Sequence, residues 1–313
     1  MNEPPAEAAT ETIRAHPRVV LAGGTGFLGR RLAAVLGGGG YDVVILTRGS
    51  TRPPVGPISF AAWQPESENG IQALAGILSG AHAVVNLCGE SIGGPRWTDR
   101  RKAALIASRV TPTTRLVAAA NAADIPPGVF LQASGVGYYG VGSKPVDESS
   151  GNGDDFLAEL AQQWEAPLCS LRADVRVVIA RLGVVLGRGG GALSQMLAPF
   201  RMFVGGPIAT GNQWLSWIHL HDATAIMAAL IADEKSSGIY NLVAPGVIRN
   251  AQFAEAAGAA LGRPAWMITP RFVLKGLLGE QATLVCDGQQ AVSRRLNHDF
   301  DYPEIKGALE NLV

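Results

Sequence analysis

A short apolar run followed by three evenly spaced glycines is the feature that most restricts the fold. Residues 18–22 read Arg-Val-Val-Leu-Ala, a composition typical of a strand that a parallel sheet buries on both faces. Gly23, Gly26 and Gly29 follow, and a helical pattern begins at Phe27. This order predicts a strand, a tight turn and a helix whose N-terminus binds dinucleotide phosphates, although an ordinary strand–helix turn is the alternative interpretation.

Strand and helix patterns continue to alternate through the first half of the chain. Apolar runs predict strands over residues 18–22, 43–46, 58–63, 83–87, 129–133 and 175–180. Helical patterns between them cover residues 27–36, 71–78, 99–121 and 155–170. This alternation predicts an α/β fold with a Rossmann-type doubly wound parallel sheet.

The second half of the chain has a different composition and a less regular pattern of strands and helices. Residues 186–216 are rich in Gly and Pro and are interpreted as loops that cross a cleft, whereas 239–242 are expected to return to the sheet. We predict a disordered tail, a nucleotide-binding Rossmann domain with its sheet completed later in the chain, and a smaller, mostly helical C-terminal lobe. These regions are residues 1–16, residues 17–185 with 217–245, and residues 186–216 with 246–313, in that order.

Composition narrows the classes of partner. Lys and Arg number 26 and so do Asp and Glu, and a neutral chain with 17% charged residues is not expected to bind nucleic acid. Three cysteines, Cys88, Cys169 and Cys286, are too few for a disulfide framework. No apolar run is long enough for a membrane span, and the acidic N-terminus does not read as a signal peptide. We therefore expect a cytoplasmic protein with a small-molecule substrate and no membrane partner, of undetermined oligomeric state.

The end of the second strand bears on which dinucleotide binds. NAD sites usually carry Asp or Glu there, to hold the ribose 2′-hydroxyl. This strand ends Leu46-Thr47-Arg48, without an acid. A guanidinium is suited to a 2′-phosphate, so the sequence favours NADP over NAD, with an ordinary exposed arginine as the alternative interpretation of Arg48.

These residues, together with later stretches, resemble the extended short-chain dehydrogenase/reductase superfamily. More closely, they resemble its atypical "epimerase family protein" branch, in the NAD(P)-dependent epimerase/dehydratase family, whose members carry their own C-terminal domain of unknown function. The resemblance covers about residues 18–313. The matching stretches are 23–29 (GGTGFLG), 86–90 (NLCGE), 108–109 (SR), 134–140 (SGVGYYG), 164–165 (WE), 181–187 (RLGVVLG), 217–219 (WIH) and the tail from 262–264 (GRP) through 302–303 (YP).

The resemblance implies a Rossmann domain that binds NADP(H), with a second lobe over the nicotinamide. It places cofactor contacts in the glycine loop, at the end of the second strand, after the fourth strand, on the following helix and after the sixth strand. The residues implied are Gly23, Gly24, Thr25, Gly26, Phe27, Leu28, Gly29, Thr47, Arg48, Leu87, Cys88, Gly89, Arg109 and Val185.

The catalytic pattern of the superfamily is only partly present. Its members usually combine a Ser with a Tyr-x-x-x-Lys pair, and Ser134 stands just after the fifth strand, where that serine is expected. The Tyr and Lys positions hold Leu157 and Ala161 instead. Tyr138 or Tyr139 is therefore the candidate acid. The alternatives are that Ser134 is a polar strand end, and that one tyrosine is core while the other packs on the cofactor.

A histidine pair after residue 216 suggests two further roles. His219-Leu220-His221-Asp222 places two imidazoles on one face of a strand, but no second group of ligands lies nearby in sequence. We predict no metal site, and interpret Asp222 as the cap of a helix over residues 223–232. Trp217 and His219 are predicted to face the substrate.

Two functions follow from these patterns. The first is an NADP(H)-dependent oxidoreductase, or a nucleoside-sugar-epimerase-like protein, that acts on a small carbonyl or sugar-like metabolite. The second is a non-catalytic NADP(H)-binding sensor or partner-binding module, favoured by the missing Tyr and Lys.

Overall fold

A parallel sheet of seven strands forms the centre of the protein, in a computed structural model that describes residues 16–49, 52–67 and 70–313. In chain order the described strands are β1 (Arg18–Ala22), β2 (Asp42–Thr47), β3 (Ile58–Ala62), β4 (Ala83–Asn86), β5 (Val129–Gly135), β6 (Pro145–Val146), β7 (Arg176–Leu182), β8 (Val184–Leu186), β9 (Trp214–Leu215), β10 (Trp217–His219), β11 (Gly238–Leu242), β12 (Ile248–Arg249) and β13 (Gln290–Ala291). The large sheet has the order β11-β7-β5-β4-β1-β2-β3. The predicted α/β, Rossmann-type fold is confirmed.

Helices cover both faces of this sheet and form most of the C-terminal lobe. In chain order they are α1 (Phe27–Gly38), α2 (Ile71–Leu78), α3 (Asp99–Ala122), α4 (Phe156–Glu165), α5 (Leu193–Arg201), α6 (Leu220–Ala232), α7 (Asn250–Leu261), α8 (Arg271–Leu278), α9 (Thr283–Cys286) and α10 (Ile305–Leu312). No described helix combines the length and the apolar composition that a bilayer span requires.

The strand order reverses direction on either side of β1, and this reversal places the candidate site. Ala22, at the end of β1, is in register with Leu46 of β2 and with Asn86 of β4. The loops that follow these three strands therefore leave the same edge of the sheet side by side. Ligands of open α/β sheets bind in the crevice at such a point.

Successive side chains of the buried strands contribute alternately to two separate hydrophobic cores, one on each face of the sheet. Val19 and Leu21 of β1 pack with apolar residues of α1 and α6, whereas Val20 and Ala22 pack with α2 and α3. Successive side chains of a strand point to opposite faces, so a continuous apolar run suits a strand covered on both sides.

The prediction of loops over residues 186–216 is wrong in part. This range contains α5, whose Leu197 and Phe200 are buried with Trp217 and with residues of α7 and α10 in a third core. Pro199 lies inside the last turn of α5 and, with the glycines on either side of the helix, hides its apolar periodicity. The predicted return of 239–242 to the sheet is confirmed, because β11 pairs with β7.

For two other predicted segments, the structure gives different end residues. The helix expected over residues 155–170 ends at Glu165, and a 3₁₀ turn covers Ala166–Ser170, with Pro167 near its start. Of the tail predicted to be disordered, residues 1–15 lie outside the described residues. His16 is described, and its ring nitrogen Nδ1 lies 2.9 Å from the Gly40 carbonyl oxygen.

Candidate functional site

The loop between β1 and α1 has a shape that depends on glycine. Gly23 has a φ of 77°, which side-chain-bearing residues rarely adopt, and a Cβ there would lie 2.7 Å from the Leu87 carbonyl carbon. A Cβ on Gly29 would lie 2.4 Å from the Gly23 carbonyl oxygen. The first glycine thus lets the loop pack on the end of β4, and the last lets α1 pack on the loop.

Gly26 stands at the N-terminus of α1 and leaves it open. A Cβ at this position would meet only the Gly23 carbonyl oxygen, at 3.2 Å. No side chain caps the helix, and its first turn has no acidic residue. Within the part of the chain that the structure describes, the free N–H groups and the positive end of the helix dipole are therefore not neutralised, as a phosphate site requires.

A second glycine-rich segment packs against the same helix end. Added Cβ atoms at Gly187, Gly190 and Gly191 would lie 2.8, 2.7 and 2.9 Å from atoms of the Phe27 ring. Gly187 lies in a stretch that resembles the family, but no role was predicted for the run Gly-Arg-Gly-Gly-Gly at 187–191. Its density of glycine was the available signal for a close approach to Phe27.

The end of β2 lies near the chain that follows β4. Arg48 is exposed and forms no ion pair with any described carboxylate, and the Thr47 hydroxyl accepts a bond from the Gly49 N–H at 3.4 Å. Burial raises the pKa of the Cys88 thiol to about 12, although the positive charge of Arg48 opposes this shift.

Arg109 lies against the segment after β4, as the resemblance implied. Its guanidinium donates to the carbonyl oxygens of Leu105 at 3.1 Å and Glu90 at 2.8 Å, and a Cβ on Gly89 would lie 3.1 Å from its central carbon. Burial lowers the pKa of Arg109 to about 10. It is a buried cation that forms no ion pair within the described chain. Its contact with a cofactor stays a prediction.

The Ser134 hydroxyl is held inside a buried network. Its Oγ donates to Oε1 of Glu165 at 2.6 Å. Nε and Nη2 of Arg181 donate to the two oxygens of the same carboxylate, at 2.9 and 2.7 Å. The Arg181 and Glu165 side chains are only 2% and 11% exposed, so this ion pair is largely removed from water.

The two tyrosines have different surroundings. The Tyr139 hydroxyl donates to Oδ1 of Asn241 at 2.7 Å and accepts from Arg181 at 3.1 Å, and burial raises its pKa. The half-buried Tyr138 faces Arg181, whose guanidinium carbon lies 3.4 Å from its ring centroid. Its hydroxyl makes no hydrogen bond within residues 16–49, 52–67 and 70–313. The structure therefore brings the three predicted catalytic residues together but leaves only the Tyr138 hydroxyl free of described partners.

Two other predicted cofactor contacts, Val185 and Leu87, lie in segments that pack near the glycine-rich loops. Val185 lies in β8, in register with Ile218 of β10, and its carbonyl oxygen would be 3.2 Å from a Cβ on Gly191. Leu87 donates its backbone N–H to the Ala22 carbonyl oxygen at 2.9 Å, beside the glycine loop. Cofactor contacts at Val185 and Leu87 stay predictions.

The predicted substrate contact of Trp217 is wrong. This side chain is completely buried in the core of the C-terminal lobe, and its indole N–H donates to the Gly246 carbonyl oxygen at 2.9 Å. Local sequence could not separate an aromatic wall from a core residue, because α5, α7 and α10 bury Trp217 from distant parts of the chain.

His219 also lies away from the tyrosines. It lines a cavity of about 300 Å³, and none of the residues around that cavity belongs to the Ser134–Tyr139 cluster. Its ring centroid is 3.9 Å from that of Tyr302, and its Nδ1 accepts from the His221 backbone N–H at 3.1 Å. The structure therefore does not bring His219 together with the tyrosines, and its contact with a substrate stays a prediction. Within the described chain no group of three or more His, Cys, Asp and Glu is arranged to hold a metal.

Two family models match the chain. The model described as "NAD dependent epimerase/dehydratase family" matches residues 19–242, and "Domain of unknown function (DUF1731)" matches residues 269–312. Their junction falls within the C-terminal lobe.

Similar proteins extend over most of the chain. The mouse "Epimerase family protein SDR39U1" is 38% identical over 304 residues, which covers 95% of this chain and 99% of the mouse protein. The crystal structure of human epimerase family protein SDR39U1 (isoform 2) with NADPH is 36% identical, covers 94% of this chain and 98% of its own, and has a TM-score of 0.84. A nucleoside-diphosphate sugar epimerase from Corynebacterium glutamicum is 30% identical, covers 94% of this chain and 57% of its own, and has a TM-score of 0.74.

Proposed function

The chain belongs to the NAD dependent epimerase/dehydratase family, and from this premise we propose that it binds NADP(H) and uses it in redox chemistry on a small carbonyl or sugar-like metabolite. The observation that carries the proposal is the glycine cradle between β1 and α1, with Arg48 at the end of the neighbouring strand β2. Cytoplasmic localisation, which the composition suggested, is part of the same proposal.

The cradle fits the pyrophosphate of a dinucleotide. Gly23 and Gly29 allow the close packing that brings the loop under the helix, and Gly26 leaves the outer side without a side chain. The uncapped N-terminus of α1 supplies N–H donors and a partial positive charge. The human relative solved with NADPH supports the same class of ligand here.

Arg48 supports NADP over NAD. The chain offers no carboxylate at Leu46 or Thr47 for a ribose 2′-hydroxyl, and Arg48 forms no ion pair with any described carboxylate. An arginine presents a planar set of donors that matches a phosphate, and a neighbouring Cys88 thiol that stays neutral adds no opposing charge.

The proposed chemistry assigns Tyr138 as the proton carrier. NADP(H), when bound, supplies a hydride acceptor or donor. This chain must then provide a group that exchanges a proton with the substrate oxygen. Tyr138 suits that task because its hydroxyl has no partner in the described chain, whereas the Ser134 hydroxyl donates to Glu165 and Tyr139 donates to Asn241. We assign Ser134 and Tyr139 to positioning rather than to proton transfer.

The substrate class follows the same premise. The relative from Corynebacterium glutamicum is described as a nucleoside-diphosphate sugar epimerase, which supports a sugar nucleotide as one candidate substrate. The buried cation of Arg109, beside Gly89 and Glu90, is assigned as the partner of an anionic part of such a molecule or of the cofactor.

A second candidate function is a non-catalytic NADP(H)-binding sensor or partner-binding module. The observation that favours it is α4, which holds Leu157 and Ala161 at the positions of the usual Tyr and Lys. The bonding of the Ser134 and Tyr139 hydroxyls within a buried network is consistent with it.

The experiment that tests the proposed cofactor compares NADPH with NADH by titration. The parent should bind NADPH more tightly, and Arg48→Ala should lose about 1–3 kcal/mol of NADPH affinity, as for a charged hydrogen bond, and little NADH affinity. Arg172→Ala is the control, because Arg172 pairs with Asp174 just before β7, at the opposite edge of the sheet. Identical curves for both cofactors in the parent would contradict the assignment.

A second measurement separates the two candidate functions. NADPH oxidation, or NADP⁺ reduction in the reverse direction, is followed across a panel of carbonyl compounds, sugars and sugar nucleotides. The sugar nucleotides are also analysed for epimerised products, because an epimerase returns the hydride to its substrate and causes no net change in the cofactor. Turnover of any substrate supports the enzyme. Tight NADPH binding without turnover across the panel favours the sensor.

A further inference from the structure

Eight large apolar side chains are exposed in one region of the C-terminal lobe. They come from the chain after α5, from the segment before α8 and from α8 itself, and we call them the apolar patch: Met202, Phe203, Val204, Trp266, Ile268, Phe272, Val273 and Leu277. The helix α8 is fully described and has no buried residue. Leu274 and Leu278 are partly buried, whereas Phe272, Val273 and Leu277 are exposed and do not attach α8 to the core of this chain.

The contributing segments lie side by side. The Met267 N–H donates to the Gly205 carbonyl oxygen at 3.2 Å, and the Thr269 N–H donates to the Pro207 carbonyl oxygen at 3.0 Å. Thr269 leads directly into α8. These bonds place the segment before α8 beside the segment after α5, so the chain brings the exposed apolar residues of both segments, and the start of α8, into one region.

The segment before α8 exposes an apolar side, which is unusual for a surface that meets only water. Residues 264–270 alternate between exposed and partly buried, as in an extended edge strand. The exposed side carries Trp266 and Ile268, which are 64% and 59% exposed, while Met267 between them is partly covered. Edge strands that face water usually carry polar or charged side chains on that side.

The backbone next to the patch is strained. Phe203 and Ala209 have φ values of 63° and 51°, and they are the non-glycine residues with positive φ within the described chain. A bulky residue in this region is an outlier, and such strain is typically kept at functional sites. Phe203 is thereby presented to solvent at 53% exposure.

The patch is large for a surface without a partner. Three aromatic and five aliphatic side chains, each more than one third exposed, present on the order of 800 Å², since a large aromatic side chain alone offers about 150–250 Å². The largest apolar patch on a typical monomer is about 300–600 Å².

Cations surround this surface. Arg201, Arg263, Arg271 and Lys275 lie within or next to its segments, and Arg263 stands 4.2 Å from the Phe203 ring centroid. Arg271 pairs with Asp287 at 2.7 Å, but the other three form no ion pair with a described carboxylate. Two copies joined through the patch would bring these like charges together, whereas an anionic surface would complement them.

We propose that the apolar patch binds the surface of a membrane that contains anionic lipids. α8 lies in the plane of the interface, with Phe272 and Leu277 at the boundary between headgroups and acyl chains and with Trp266 at the polar level. Lys275 and Arg263 extend to the lipid phosphates. This peripheral binding needs no spanning helix, and it does not depend on the cofactor or on the proposed reaction.

The test is flotation of the full chain with vesicles of phosphatidylcholine, alone or mixed with phosphatidylserine. The parent should float with the mixed vesicles and much less with phosphatidylcholine alone, and added salt should weaken binding. Exchange of both Phe272 and Leu277 for Ser should lower binding at least about tenfold, because burial of these side chains drives insertion. Lys275→Gln, which removes one positive charge worth about 1 kcal/mol at such a surface, should lower it about fivefold.

Ile125→Ser is the matched control, because Ile125 is 64% exposed but lies outside the patch. It should leave flotation unchanged, and thermal unfolding checks that every variant is folded. Equal flotation of the parent and the double variant, or no flotation of the folded parent with anionic vesicles, overturns the proposal. A dimer in light scattering that the double variant dissociates also overturns it, because a second copy then covers the patch.

Discussion

The guanidinium carbon of Arg181 lies 3.4 Å from the centroid of the Tyr138 ring, while the same guanidinium is paired with the buried carboxylate of Glu165. Arg181 thus binds the carboxylate that accepts a hydrogen bond from Ser134. The same guanidinium packs on the ring of Tyr138, the proposed proton carrier. This relationship joins the end of β5, the end of α4 and β7, whose residues are adjacent in space but distant in sequence.

Removal of one partner of the Arg181–Glu165 pair should strongly destabilise the protein. Arg181→Met should lower the free energy of unfolding by about 3–5 kcal/mol, because Glu165 is left charged and unpaired in a buried position. Combining it with Glu165→Leu should recover part of the loss. Urea unfolding measures both. Arg172→Ala, which breaks an exposed pair with Asp174, should cost far less, because water screens that pair. A loss for Arg181→Met as small as that of the control would contradict the burial argument.

Gly26→Val should remove dinucleotide binding without unfolding the protein. A branched side chain would occupy the space in front of the α1 N-terminus, where the pyrophosphate is expected. The turn itself has room, because a Cβ at Gly26 meets only the Gly23 carbonyl oxygen at 3.2 Å. NADPH titration measures binding, and circular dichroism checks the fold. Gly76→Val is the control, since Gly76 of α2 has open space around it. Parent-like affinity in a folded Gly26→Val protein would place the cofactor elsewhere.

The sequence was sufficient for features that depend on local chemistry. The run at 18–22 and the spacing of Gly23, Gly26 and Gly29 predicted β1, the turn and α1, because burial on two faces and close packing leave a direct mark on residue type. The start of α2 at Ile71 and the start of α3 at Asp99 were also predicted, from the helical patterns that begin there.

Features that depend on distant segments were not predictable in the same way. Ser134 was matched to a catalytic serine, but its partner Glu165 lies 31 residues away and reaches it only through the packing of α4 beside β5. Trp217 carries no local sign of its complete burial, because α5, α7 and α10 cover it from other parts of the chain.

Stability should fall at high pH, in part through Cys88. Burial raises the pKa of its thiol from 9.0 to about 12. Below about pH 9 the thiol is protonated in both states. Above that pH the unfolded thiol ionises while the folded thiol keeps its proton, so the free energy of unfolding decreases as the pH rises toward 12.

Cys88→Ala tests this contribution by urea unfolding at a series of pH values between 8 and 11. The variant should show a shallower fall in stability with pH than the parent. Cys169→Ala, which removes an exposed thiol, should keep the slope of the parent. A slope for Cys88→Ala equal to that of the parent would show that the folded thiol ionises as readily as the unfolded one.

Tyr138 and Tyr139 should respond differently to loss of their hydroxyls if the protein turns over a carbonyl substrate. Tyr138→Phe should lower kcat by about 10²–10⁴-fold, the range for a general acid, and should leave NADPH affinity and stability close to those of the parent. Tyr139→Phe should instead destabilise the fold by about 1–3 kcal/mol, because Arg181 and Asn241 lose a buried partner. Steady-state NADPH oxidation, NADPH titration and urea unfolding on the same three proteins separate these outcomes. A Tyr138→Phe protein with the kcat of the parent, beside a folded Tyr139→Phe protein without activity, would transfer the acid role to Tyr139.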